Sequence, residues 1–307
     1  MLNKNIRNII NYNLSKQIIN YNTSCKNNNN LIYVYDITTM ELVNNKYYMS
    51  ISACNKELGI NKQTIRKYLD NKELYKYRYI FSNIELSKDL LNKYIILTPK
   101  ILEVITGELL GKGNMNINNN NKSSKTAAIV WYFSPKALEY VNYLKFNILK
   151  SLCTNTAPTR YPNKDKGEVK QYSFSTKYMP QLYDIYNNWY KWDESEEKYL
   201  KILPNNIYDI ITPISLAHWT SGVGYFDGST VLSTEYFNHQ EIEILCHILK
   251  FKFNIKCYLV LTYTLGRALP DGYRIKIDES CQDKFIELVK PHMLESFWYK
   301  IDSSYLS

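Results

Sequence analysis

Two segments about 110 residues apart place the strongest constraint on how this chain can fold. Each is an apolar run of helical length that ends in a turn of small residues. The first, Ile105–Gly113, reads ITGELLGKG, and the second, Leu216–Gly224, reads LAHWTSGVG. Small residues at the ends of two apolar helices allow the helices to pack with their backbones close together. The repetition therefore predicts a duplicated α+β unit built around a pair of packed helices.

The chain between and after these segments indicates where each unit begins. Thr98-Pro99 and Thr212-Pro213 each precede an apolar helical run, as expected for a helix start. We predict a first repeat over residues 98–206 and a second over residues 207–307. In each repeat, strand pairs and further helices follow the first helix in an αββαββα-like order.

Residues 31–83 predict a separate small unit. A strand pair is followed by two short helices joined at Leu58-Gly59-Ile60, with Gly59 suited to the left-handed position that ends a helix. Ala53 is expected at the helix crossing and Ile65 in the core, which is a helix-turn-helix pattern. The second helix leaves four polar side chains outside: Lys62, Gln63, Arg66 and Lys67. They suit contacts to phosphates and base edges. The alternative is an ordinary helical hairpin with a solvated basic face.

The net charge of +9 is unevenly distributed. Residues 1–99 carry 14 basic and 7 acidic side chains, and residues 100–180 carry 12 and 5, whereas residues 181–307 carry 12 and 17. A basic front and an acidic rear favour a polyanionic partner that is contacted mainly by the first two thirds of the chain. The alternative is a coding bias towards lysine.

Composition argues against a disulfide-stabilised protein, a zinc-ribbon protein and a membrane-spanning protein. The six cysteines form no C-x-x-C pair, which argues against a disulfide framework or a zinc ribbon and suits a reducing compartment. No apolar run approaches the roughly 18 residues that a membrane span needs. Residues 1–30 are rich in Asn, and we expect a disordered leader there. The bias towards Asn, Lys, Ile and Tyr matches A/T-rich codons and favours a fungal mitochondrial genome.

The two motifs resemble the signature motifs of the LAGLIDADG homing endonucleases, in the subgroup that reads L-x-G-x-L-L-G-D-G and L-A-x-W-x-x-D/G-D-G. The resemblance extends over residues 98–303. In the second half, five segments follow one another in the same order as in the subgroup: Thr212–Trp219, Gly224–Gly228, Gly272–Ile277, Val289–Met293 and Trp298–Ile301. Residues 31–83 resemble the modular DNA-binding repeat attached to many of these enzymes, with its Y-V-Y-D, L-G-I and Y-I-F-S segments.

The resemblance implies a saddle in which two sheets flank the motif helices and lie in the DNA major groove. It implies that Gly107, Gly111 and Gly222 lie where the helices cross. It also implies that a basic loop and strand of the first repeat line the DNA-facing side of its sheet: Arg160, Lys164, Lys166, Lys170 and Lys177. In the family, the Asp at the eighth motif position holds Mg²⁺, which activates water and neutralises the phosphate.

The departure from the family pattern is as informative as the match. Lys112 and Val223 occupy the two metal-binding Asp positions, and neither supplies an oxygen ligand. Glu108 lies at a core-packing position and Asp227 in a turn, so we expect no metal, no other cofactor and no cleavage. The ammonium of Lys112 has two interpretations. It can hold a phosphate in place of the metal, or it can reflect decay of the gene.

The sequence thus predicts an intron-encoded protein of the mitochondrial matrix, working as a monomer with internal pseudo-two-fold symmetry. Its expected partner is double-stranded DNA at an intron insertion site. One alternative is a maturase-like cofactor of group I intron splicing that binds structured intron RNA. Another is a structural protein recruited to a mitochondrial RNA assembly such as the ribosome. No membrane partner is expected.

Overall fold

The computed structural model describes residues 31–37, 39–76, 78–92, 94–118, 125–163, 166–262 and 272–305. The predicted leader, residues 1–30, lies outside the described residues. The chain divides into two compact units, one ending at Ile96 and the other beginning at Leu97. Within the described residues, no helix combines the length and the apolar character that crossing a membrane requires.

The first unit is a three-stranded antiparallel sheet with two short helices. Strand β1 (Tyr33–Asp36) lies between β2 (Glu41–Leu42) and β3 (Tyr79–Ser82). Helices α1 (Ile51–Leu58) and α2 (Lys62–Asn71) lie between β2 and β3 in the chain. A further short helix, α3, covers Lys88–Asn92.

The two helices of this unit begin and end at residues whose chemistry explains the boundaries. Ser50 accepts a hydrogen bond from the backbone of Ala53 and caps α1, and Asn61 caps α2 in the same way. Gly59 ends α1 with a φ of +67°, the left-handed conformation that glycine adopts without strain. Ile65 is fully buried beside Cys54, as the helix-turn-helix pattern requires. Ala53 is exposed, and its predicted place at the crossing is wrong because Cys54 faces the core instead.

The second unit contains two repeats of the same order of elements. The first repeat comprises α4 (Pro99–Leu110), β4 (Asn114–Ile117), β5 (Ala127–Phe133), α5 (Leu138–Asn142, continuing as a π-helical turn over Tyr143–Ile148), β6 (Thr159–Tyr161), β7 (Gln171–Ser175) and α6 (Pro180–Trp189). A hairpin of β8 (Tyr190–Asp193) and β9 (Lys198–Lys201) follows.

After a short helix α7 (Ile207–Ile210), the second repeat follows the same order. It comprises α8 (Pro213–Val223), β10 (Gly224–Asp227), β11 (Ser229–Ser233), α9 (His239–Phe253), β12 (Cys257–Thr262), β13 (Gly272–Ile277) and α10 (Gln282–Val289). Three short 3₁₀ turns end the described chain: Lys290–His292, Glu295–Lys300 and Ser303–Tyr305. The sheets run β4-β5-β7-β6 and β10-β11-β13-β12, so their strand orders correspond. The predicted α+β duplication is confirmed.

Helices α4 and α8 are fixed at their N-termini by equivalent residues. Thr98 accepts a hydrogen bond from Ile101, and Thr212 forms a reciprocal capping box with Ser215. A proline occupies the first turn of each helix, where its missing N–H costs nothing. Most of α8 is buried, which explains why it contains no Asp, Glu, Lys or Arg.

The two helices approach most closely at Gly107. A Cβ at Gly107 would lie 2.2 Å from the carbonyl oxygen of Ser215 and 2.7 Å from the Cβ of His218. The Ser215 hydroxyl donates a 2.9 Å hydrogen bond to the Glu103 carbonyl across the same contact. The helices therefore touch backbone to backbone, and a larger residue at Gly107 would force them apart.

Gly111 and Gly222 lie further along the same contact. A Cβ at Gly111 would meet Val223 Cγ2 at 3.5 Å, and one at Gly222 would meet the Lys112 backbone nitrogen at 3.6 Å. These are ordinary van der Waals distances. All three glycines lie between α4 and α8, but the packing excludes a side chain only at Gly107.

We expect Gly107→Ala to lower the free energy of unfolding by about 1–3 kcal/mol, because the added methyl group overlaps backbone atoms that cannot move independently. Gly222→Ala is the matched control in the partner helix. It should change stability by less than about 1 kcal/mol, because its methyl group meets ordinary contact distances and alanine favours the helix. Urea unfolding of both variants tests this. Equal losses would show that the close approach at Gly107 is not what limits the packing.

Candidate nucleic-acid interface and central site

The C-terminal ends of α4 and α8 meet at one place. Lys112 follows α4 directly and is exposed, and its backbone and first side-chain carbons lie over Gly222 of the other helix. Val223, the last residue of α8, is half-buried and lies against Gly111. The two residues that occupy the predicted metal positions are thus brought to the same end of the helix pair.

Glu108 is buried one helical turn before Lys112. It accepts hydrogen bonds from Trp131 Nε1 at 2.9 Å and from the Tyr140 hydroxyl, and its Oε1 lies 3.0 Å from His218 Nδ1. Burial, and then the Glu108 charge, raise the pKa of Tyr140 well above its ordinary value, so this phenol stays protonated and donates. The network joins α4 to β5, α5 and α8 and occupies both carboxylate oxygens. Sequence reasoning assigned Glu108 to the core but did not find its three partners.

Lys300, in the 3₁₀ turn that follows α10, points to the same end of the helix pair. Its Nζ donates a 2.8 Å hydrogen bond to the Ser221 carbonyl near the C-terminus of α8. Burial, and then the charge of Lys112, lower the pKa of Lys300 to about 8, and the charge of Glu108 opposes the shift. A second cation therefore lies beside Lys112.

Lys201, at the end of β9, makes the corresponding contact with α4. Its Nζ donates to the carbonyls of Leu109, at 3.1 Å, and Gly113, at 2.7 Å, and lies 4.2 Å from the centre of the Tyr236 ring. Burial lowers the pKa of Lys201 to about 7. Each motif helix thus ends against a lysine from its own repeat, where free carbonyls and the helix dipole favour a cation.

In the sheet of the first repeat, β4-β5-β7-β6, successive side chains along each strand point alternately to a covered face and to an open face. Trp131 stacks on Phe174 at 4.6 Å on the covered face, where both are buried. Tyr132 and its neighbours point the other way. The open face carries neutral polar and aromatic groups: Asn116, Tyr132, Thr159, Tyr161, Gln171 and Ser173.

The structure does not bring the predicted basic set of this sheet together on the open face. Arg160 pairs with Tyr172, and that register places it on the side of Phe133, the covered face. Its Nη2 donates to the Gly167 carbonyl at 2.9 Å. Strand alternation thus turns the Arg160 side chain to the covered face, whereas the expectation placed it on the open one.

The other predicted lysines of this region are also scattered. The Nζ of Lys177 lies 3.5 Å from the Ser151 carbonyl, behind the sheet. Lys166 and Lys170 are exposed in the segment before β7, and alternation places Lys170 opposite to Gln171. Lys164 lies outside the described residues.

The sheet of the second repeat, β10-β11-β13-β12, carries two basic residues that the sequence did not predict. Arg274 and Lys276 lie two apart on β13, on the open face. Arg274 contacts Glu235 at 2.6 Å and the Tyr225 hydroxyl at 3.3 Å, and Lys276 lies 3.5 Å from Asp227. The alternation in Gly-Tyr-Arg-Ile-Lys-Ile, with its two isoleucines buried, was the signal that could have found them.

In the first unit, the predicted recognition residues lie together. All four are exposed on one helix, α2: Lys62, Gln63, Arg66 and Lys67. The first turn of a recognition helix is where base-edge contacts are made in helix-turn-helix proteins.

Comparison with known proteins supplies the family. Residues 102–285 match the LAGLIDADG DNA endonuclease family. The chain belongs to this family. Residues 31–69 match the NUMOD1 domain.

Individual LAGLIDADG relatives are distant in sequence. The chain is 25% identical over 272 residues to the cytochrome b mRNA maturase bI2 of Saccharomyces cerevisiae, covering 87% of this chain and 59% of that protein. It is 29% identical over 217 residues to the DNA endonuclease I-ChuI of Chlamydomonas applanata, covering 67% and 95%. The homing endonuclease I-WcaI, solved bound to its DNA recognition sequence, matches with a TM-score of 0.55 and 22% identity over 68% of this chain and 88% of that one. The structural match shows the fold.

The residues at the LAGLIDADG metal positions do not fit a divalent metal. Mg²⁺ requires oxygen ligands, which Lys112 and Val223 lack, and the oxygens of Glu108 are already engaged. Asp227 has a largely exposed side chain and pairs with Lys276. Among the residues that the structure describes, no group of three or more His, Cys, Asp or Glu side chains could hold a metal ion.

The buried Lys201 predicts a pH dependence of stability. Its pKa of about 7 in the folded state is below that of an unfolded lysine, so the unfolded chain binds more protons above pH 7 and stability rises with pH. Between pH 6 and pH 8.5 this group should contribute a rise of about 2 kcal/mol. Lys201→Met should remove that rise, as measured by urea unfolding across pH. Lys198→Met, an exposed change on the same strand, is the control and should keep the wild-type response. Identical profiles for all three proteins would contradict the assignment.

The exposed face of α2 predicts a specific effect on binding. Changing both Arg66 and Lys67 to Ala should weaken duplex DNA binding and flatten its salt dependence by roughly one log–log unit per lost phosphate contact. The unfolding curve should not move. The control changes Lys56 and Lys88, exposed lysines elsewhere in the same unit, to Ala. If both double variants change the DNA affinity and its salt dependence equally, the exposed face of α2 is a solvated basic face that does not contact DNA specifically.

Proposed function

We propose that this chain is an intron-encoded LAGLIDADG protein that binds double-stranded DNA at an intron insertion site without cleaving it. The observation that carries the proposal is the central site. Lys112 and Val223 stand at the family's metal positions, and the nearby carboxylate of Glu108 is enclosed by three hydrogen-bonding partners. Without oxygen ligands, the metal-activated water that phosphodiester hydrolysis needs is not formed.

Retention of binding is supported by the state of the rest of the fold. The tight packing at Gly107, the reciprocal cap at Thr212 and the satisfied Glu108 network require specific residues, and each is present. A chain that had lost all function would have no constraint to keep them. We infer that duplex binding requires this framework and does not require the metal.

The proposed DNA contacts come from three surfaces. Helix α2 offers its exposed basic face, the first sheet offers hydrogen-bonding and aromatic groups, and the second sheet offers Arg274 and Lys276. β-strands can enter the major groove, where base edges are distinguishable. Lysine and arginine add the phosphate contacts that dominate affinity. A single chain holds both repeats, and we propose that it works as a monomer.

A maturase-like role in group I intron splicing is the second candidate. It is supported by the match to a cytochrome b mRNA maturase, which covers 87% of this chain. Binding of structured intron RNA would use the same exposed basic groups and would also dispense with the metal acids. For either role we propose the mitochondrial matrix as the location. The bias towards residues with A/T-rich codons and the similarity to cytochrome b mRNA maturases support this proposal.

The decisive test is a combined binding and cleavage assay on a duplex that spans the junction of the flanking exons. The protein should shift this duplex in preference to a scrambled one, and neither strand should be cut with Mg²⁺ or Mn²⁺. Intron RNA as competitor separates the two candidates, because stronger competition by RNA than by duplex favours the maturase-like role. Specific metal-dependent cleavage would falsify the proposal.

A further inference from the structure

We propose that the shared end of the two motif helices is a metal-free phosphate site, in which the ammonium groups of Lys112 and Lys300 together hold one backbone phosphate of the bound duplex. This inference rests on the proposed DNA-binding function and assigns its central contact.

Lys112 is placed for this role by the helix crossing. It leaves α4 at the point where α8 has Gly222, and its Cβ and Cγ would lie 3.9 and 3.8 Å from a Cβ built there. The stem of Lys112 therefore lies over the end of α8 at van der Waals distance. The residue is exposed, so its ammonium group is accessible to a ligand.

Lys300 supplies the second charge from the opposite repeat. Its Nζ is held by the Ser221 carbonyl, one residue before Gly222, so the two lysines contact adjacent residues of α8. An ammonium group has three donor hydrogens. The bond to Ser221 uses one of them, and the others remain able to bind an anion.

The charges at this end of the helix pair favour an anion. Lys112 and Lys300 repel each other, and the acidic group that acts on Lys300 is Glu108. The oxygens of Glu108 are already engaged by Trp131, Tyr140 and His218. A phosphate beside both lysines would offset their repulsion.

A pair of lysines differs from a metal in what it can do to a phosphate. An ammonium group neutralises charge and donates hydrogen bonds, but it does not generate hydroxide from a bound water at neutral pH. The site would therefore fix the register of the duplex and leave its backbone intact. Val223 contributes an apolar wall opposite Lys112 and no charge.

The test replaces single phosphates near the centre of the exon-junction duplex with neutral methylphosphonates, one position at a time. For wild-type protein we expect one central position to weaken binding roughly fivefold to tenfold, as for loss of a charge-assisted hydrogen bond. In Lys112→Met, the same replacement should cost clearly less, because one of the two ammonium partners of that phosphate is already missing. Replacing Mg²⁺ with EDTA should change neither result.

The test uses the exposed Lys112 because Lys300→Met removes the donor to the Ser221 carbonyl and can destabilise the fold. Lys300→Arg keeps the charge and should retain the central penalty. Lys284→Met, an exposed change on α10, is the matched control and should behave as wild type. An equal central penalty in wild type and Lys112→Met, or no penalty at any central position, overturns the phosphate site while leaving duplex binding intact. Absence of any duplex binding overturns both proposals.

Discussion

The backbone contact between α4 and α8 is the constraint on which the rest of the second unit depends. Because Gly107 lets the helices touch at Ser215, their C-terminal ends meet and bring Lys112 and Val223 together. Each helix is also tied to the sheet of its own repeat by an indole. Trp131 of β5 donates to Glu108 on α4, and Trp219 of α8 donates to the Ser233 carbonyl on β11. The crossing therefore fixes the positions of both sheets and of every group at the central site.

At the central site, lysine side chains supply the positive charge that a divalent ion supplies in a family member with acids at the motif positions. A family member with acids at the motif positions gathers negative charge that a divalent ion can neutralise. In this chain Lys112 and Val223 occupy the predicted acid positions, and three lysines lie at the helix ends: Lys112, Lys201 and Lys300. Lys201 is buried and Lys300 is partly buried against carbonyls, which explains their lowered pKa values. They help to satisfy the helix termini, whereas the exposed Lys112 is free to meet a ligand. The same chemistry that makes the helix ends stable without metal makes them attractive to an anion.

Local sequence patterns predicted the duplication, the motif helices and the helix-turn-helix unit, because these depend on spacing, caps and glycine. They did not predict groups whose partners lie far away in the chain. The Nζ of Lys201 donates hydrogen bonds to the carbonyls of Leu109 and Gly113, and no local sequence pattern predicts that contact. The face on which Arg160 lies was not predicted for a different reason, since charge was counted without assigning strand faces. The strand pairing shows that Arg160 is turned to the covered face and that Arg274 lies on the open one. The hairpin β8–β9 was missed because its aromatic residues continue the pattern of α6.

The two motif helices are not interchangeable. When the two segments are aligned from Ile105 and Leu216, Gly107 corresponds to His218, and these two residues face each other at the crossing. A pair of first helices would place glycine against glycine and leave a void, whereas a pair of second helices would place histidine against histidine without room for either. Glu108 would also lose its histidine partner in the first case. Each motif helix therefore packs well against the helix of the other repeat and poorly against a copy of itself. Neither motif helix is thus suited to pair with a second copy of itself in a symmetric homodimer.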